Sequence, residues 1–246
     1  MRRWSALTEG LAALIAGSCL VLTPAAGAGV PEVAVVERPP APFATYGNSH
    51  ATAAAWLLAY HGLTKPNEDC RVAVATAAVF MEFCECAKPG KPIAWHVADA
   101  LRQLLAARDC RAAVEEKARF SHEAGQRATF DEYAAAVRAN TPVLLTFCYD
   151  PDAKSSLSEA ARRVSECATT VGIGFAKTET GLYLICRGGL EGAERELVKP
   201  DSVTTAEAHL PEGGEWSQPG TSLCRWDGTY ANLVLTFLSR PEPTAP

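Results

Sequence analysis

After residue 28, no stretch is long and apolar enough to cross a bilayer, so the chain does not read as a polytopic membrane protein. Positive charge is in short supply. The 23 Lys and Arg stand against 28 Asp and Glu, a formal charge of −5, which excludes a broad basic face for nucleic acid. Histidine is scarce as well, with five in 246 residues. No two stand at a strong metal-ligand spacing, so neither a metal nor another cofactor is expected. There is no internal repeat. At 48% hydrophobic and 21% charged, the composition is neither disordered nor collagen-like, which leaves a folded globular chain.

Residues 1–28 have an organisation of their own. Arg2 and Arg3 give a positive start, and Gly10 to Leu22 form an apolar stretch too short for a membrane span. Ala26-Gly27-Ala28 then supplies small residues suited to cleavage. This pattern predicts an export signal cut after Ala28, despite the charge of Glu9. Lipid attachment at Cys19 is the alternative, but no large aliphatic residue stands three positions before it. Beyond the signal lie Cys70, Cys84, Cys86, Cys110, Cys148, Cys167, Cys186 and Cys224. An even number in an exported chain favours disulfides, although their pairing is not legible. Cys84-Glu85-Cys86 matches a zinc or redox fragment only loosely, and zinc needs two further ligands.

Gly29 to Pro42 carries Pro31, Pro39, Pro40 and Pro42 and reads as an extended lead-in. A single domain is then expected over 43–239, with a tail at 240–246. Asn48 and Ser49 are good N-caps for a helix from about Ala51 to His61, stopped by Gly62. A second helix is predicted from Pro66 to about Phe83, followed by a turn at Pro89–Pro92. A third runs over Ile93–Arg108, with Ile93, Val97, Leu101, Leu104 and Leu105 on one face. Thr129-Phe130-Asp131-Glu132 is a capping box opening a helix to about Asn140. Thereafter strands are expected at Val143–Phe147, Thr169–Phe175, Leu182–Cys186 and Leu233–Leu238, with long loops over 187–228. Helices first and strands second imply an α+β fold, an N-terminal helical half packed on a C-terminal antiparallel sheet.

Four segments carry a family likeness: Asn48 to Gly62, Ile93 to Leu105, Phe130 to Phe147, and Cys167 to Arg187. In content and order they resemble the papain-like cysteine peptidases, specifically the double-glycine, bacteriocin-processing type and its secreted relatives. The resemblance implies a papain-like fold with a cysteine nucleophile at the head of the first helix. A histidine on a facing strand, an acidic or amide residue to orient it, and a glutamine for the oxyanion complete the family's site. Here the nucleophile position falls on Ser49, or on His50 with a one-residue slip. The family's proline is Ala51, and no Gln lies between Gly29 and Ser49. The histidine position falls on Cys167, or Ala168 with a slip, and the orienting position falls near Arg187-Gly188-Gly189.

These substitutions together remove the inherited mechanism. Ser49 reads as a cap rather than a nucleophile, since its hydroxyl needs a base and the adjacent His50 side chain is expected to diverge from it. Cys148 and Cys167 end and begin successive strands, so they pair as a disulfide if those strands are neighbours; the alternative makes Cys167 a relocated nucleophile. His61 suits a helix C-terminus, His96 is expected to be partly buried or exposed within its helix, and His122 and His209 fall in turns. Trp56 and Trp95 are expected in the core, whereas Trp216 and Trp226 are candidates for an exposed contact surface. The reading is an exported pseudopeptidase, not an enzyme, that holds a peptide or protein ligand. The alternatives are a hydrolase with a rearranged nucleophile, Ser49 or a free cysteine, and a disulfide-stabilised structural protein of the cell envelope.

Overall fold

The computed structural model describes residues 30–37, 39, 48–64, 68–87, 94–121, 123–149, 167–188, 198, 201–239 and 242–243. The expected export signal, Cys19, His122, the expected Pro89–Pro92 turn and most of the expected tail lie outside the described residues, and of Cys86 and Trp95 only the backbone is described.

The expected helices are all present. Helix α1 spans Ser49–Tyr60, α2 Cys70–Ala87, α3 Ala94–Ala106 and α4 Phe130–Arg138. The run Ala53-Ala54-Ala55-Trp56-Leu57-Leu58 gives α1 no polar face, and every residue from Ser49 to Leu58 is buried. A helix apolar on all sides belongs inside a fold rather than on its surface. Its stop is a Schellman motif: Gly62, at φ 69°, donates its amide to Ala59 O, and Leu63 donates to Leu58 O. The predicted capping box at α4 is formed, Thr129 Oγ1 accepting from Glu132 N while Glu132 Oε2 accepts from Thr129 N. Between α1 and α2 the chain is pinned by a buried bidentate pair. Arg108 holds Glu68 through two contacts of 2.9 Å and also donates to Leu63 O.

The strands are β1 Glu32–Val35, β2 Cys110–Arg111, β3 Val114–Ala118, β4 Val143–Cys148, β5 Cys167–Thr178, β6 Gly181–Arg187, β7 Thr221–Arg225, β8 Asn232–Leu238 and β9 Glu242–Pro243. The main sheet runs β3-β8-β4-β5-β6-β7, and every pairing in it is antiparallel. Strand β1 also pairs with β5, placing Glu32 opposite Lys177 and Val35 opposite Gly174. It thus continues the row of β4, which pairs with β5 from Cys167 to Gly172. A β-bulge at Gly172–Gly174 marks the change of partner.

This α+β architecture is broader than a helical half set against a C-terminal sheet. Strands β1 and β3 come from the N-terminal half, so the sheet draws on both ends of the chain. Helix α1 lies over the face that carries Thr146 and Thr169, with α2 and α3 packed beside it. Helix α4 lies on the other face, where Glu132 pairs with Lys117 and the Tyr133 hydroxyl reaches Gly174 O. With both faces covered, β4 and β5 are buried almost end to end. Five strands escape the expectation. Strand β1 lies inside the supposed lead-in, β7 inside the supposed long loops, and β3 has no apolar alternation. The two-residue β2 and β9 pair with each other apart from the main sheet, β9 inside the expected tail.

Candidate functional site

The head of α1 meets the sheet at a small buried polar cluster. Asn48, not Ser49, is the N-cap: its backbone is extended and its side-chain oxygen accepts from Ala51 N at 3.0 Å. Ser49 and His50 are therefore the first residues of the helix, and both are buried. They do not diverge as expected. Both turn to Thr169 on β5, the Ser49 hydroxyl accepting from Thr169 N at 3.3 Å and His50 Nδ1 lying 2.6 Å from Thr169 Oγ1. Thr146 Oγ1 on β4 closes the group at 2.8 Å from the same hydroxyl.

Thr169 has one hydroxyl proton and two hydrogen-bonding neighbours, so at least one neighbour donates to it. His50 Nε2 has no hydrogen-bond partner among the described residues. Burial pushes the His50 pKa down from 6.5 to about 4, so the imidazole is neutral at neutral pH. A ring whose Nδ1 is turned toward Thr169, and not toward Ser49, is not arranged to deprotonate the serine hydroxyl. Ser49, Thr146 and Thr169 are each 0% exposed, so a substrate would not meet them without the helix and sheet parting.

On β5 the residue that faces the helix head is Thr169, rather than Cys167 or Ala168. Cys167 lies two residues away in a small apolar cluster with Ala118, Val234 and Cys148. Its register partner is Cys148, so the condition set for their disulfide, neighbouring strands, is met. Because Thr169 N points to Ser49 and not to β4, Thr146↔Thr169 is a narrow, non-hydrogen-bonded pair. By alternation Cys148↔Cys167 is one too, the type with the closest side chains. Cys186 and Cys224 are buried diagonal neighbours on β6 and β7, and burial together with the Cys224 thiol raises the Cys186 pKa. No disulfide bond is present among the described residues.

Arg187, near which the family likeness put the orienting residue, is buried opposite Val171 and donates to Gln218 Oε1 at 2.9 Å, with Glu215 at 3.6 Å. It offers no acid or amide to an imidazole. Trp56 is in the core as expected, stacked on Tyr60. Trp216 and Trp226 are not an exposed surface: both are half-buried, Trp216 donating to Pro211 O and Trp226 packing edge-on against Phe130. His96 is buried in α3, whereas His61 caps the end of α1 as its position suggested. His209 occupies a left-handed turn. An open groove of about 700 Å³ lies elsewhere, between the end of α3 and residues 110–113, and shares no lining residue with the cluster. No set of metal-ligating side chains occurs among the described residues, and no helix there is long and apolar enough to cross a membrane.

What fold and site together define is an α+β chain whose buried first helix begins in a sealed polar contact with its sheet. No protein-family model, curated protein or solved structure matches the chain.

Proposed function

We propose that this chain is an exported pseudopeptidase, resembling the double-glycine type of papain-like peptidase, that binds a peptide or protein without cutting it. The sealed contact of Ser49 and His50 with Thr169 carries this reading. At the helix head where that family keeps its nucleophile stand a serine that accepts a backbone hydrogen bond and a histidine that burial keeps uncharged. The strand opposite supplies threonine hydroxyls instead of a base. Such a cluster joins helix to sheet and performs no proton transfer. The rearranged hydrolase is disfavoured by the same contacts. Ligand binding is then the use left to the surfaces around the scaffold.

The test combines an acylating fluorophosphonate probe, a mixed peptide library scored for cleavage, and thermal denaturation with the same library. Expected are no labelled Ser49, no cleavage, and a raised Tm for a subset of peptides. Cleavage that disappears in Ser49→Ala overturns the proposal.

A further inference from the structure

Helix α2 buries only part of its circumference. Ala73, Val74, Ala77, Met81 and Cys84 enter the core. On the outward side, Val72, Val79 and Phe83 are 54%, 64% and 60% exposed. Steps of seven and four residues put all three on one helical stripe, with Ala75 and Thr76 between them. Single exposed apolar residues are ordinary, but a bulky aligned stripe on one helix is a surface that water solvates poorly. Exposed charges of opposite sign bracket it, Arg71 at the start and Glu82 near the end.

That order of groups is self-complementary. In an antiparallel copy related by a two-fold axis near Ala77, Val79 faces the small Ala75 of the other helix, which permits close approach. The same rotation brings Arg71 to the other Glu82 and Glu82 to the other Arg71, while Phe83 covers the opposite Val72. We propose that the outward face of α2 is a contact surface between two copies of this chain, paired antiparallel through this stripe and closed by the two Arg71–Glu82 pairs. The contact is isologous, so it ends at the dimer. The stripe from Val72 to Phe83 is about 17 Å long at 1.5 Å per residue and one helix wide. That is well short of the roughly 800 Å² per partner of a standard interface, so the association is weak and concentration-dependent.

Sedimentation equilibrium of the full chain between about 10 μM and 1 mM, a range suited to weak complexes, tests this. Expected are a monomer–dimer equilibrium, its loss in Val79→Glu, weakening in Glu82→Arg alone, and recovery in the double variant Arg71→Glu/Glu82→Arg. All these positions are exposed, and circular dichroism checks that the variants remain folded. A monomer at every concentration overturns the proposal, as does a dimer that survives Val79→Glu or a double variant that fails to recover. A monomer that binds phosphatidylcholine vesicles through Val79 assigns the face to lipid and overturns it as well.

Discussion

At His50, loss of water decides the protonation state. The folded chain holds this ring neutral down to about pH 4, whereas an unfolded histidine takes its proton near 6.5. Between those values the unfolded chain binds more protons, so stability rises with pH across the window and falls as the pH is lowered through it. A displacement of that size corresponds to about 3 kcal/mol once the window has been crossed. Urea denaturation at a series of pH values is expected to give a steeper decline below pH 6.5 for the wild type than for His50→Gln. Parallel profiles for the two proteins would refute the assignment. Half of this cluster was legible in the sequence. Asn48, Ser49 and His50 follow from capping preference and segment order. Thr169 does not, because β5 is buried on both faces and has no alternation to reveal which residue faces the helix. The family likeness pointed to Cys167 or Ala168, whereas the contact with the helix head is made by Thr169.

Among the elements, those with a strong local pattern were readable: the periodic α3, the capped α4, and the apolar runs of β4, β5, β6 and β8. Strand β3 reads Val-Glu-Glu-Lys-Ala, and its strand character comes from pairing with β8 rather than from its own composition. Strand β1 sits beside prolines and becomes a strand only because β5 outlasts β4 and leaves a row to fill. That junction depends on a missing side chain. A Cβ at Gly174 would lie 2.6 Å from the backbone oxygen of Ala34, an atom that cannot swing aside. Gly174→Ala is therefore expected to cost roughly 1–3 kcal/mol, as overpacking does. The loss should appear as faster amide hydrogen exchange over residues 33–36, with β6 and β7 still protected. Unchanged protection in β1 would show that the strand accommodates the methyl group.

For the molecule as a whole, oxidation is the property that export would impose. Of the eight cysteines after residue 28, register selects Cys148 and Cys167 as directly opposed. Peptide mapping of protein alkylated without reductant is expected to recover these two as a linked pair. A link from either one to a different cysteine would reject that pairing. The sequence could place both residues at strand ends, but the register that opposes them depends on how β4 and β5 slide past one another, which no local pattern encodes.

The pairing of β1 with β5 also orders events in time. Glu32 to Val35 are made early, yet their partners, Gly174 to Lys177, come more than half a chain later. Until then the first strand has no ladder to join, and no local contact replaces it. Closing so long a loop is slow. A nascent chain therefore passes most of its synthesis with its first strand unpaired, and that strand is what an escort would have to shelter.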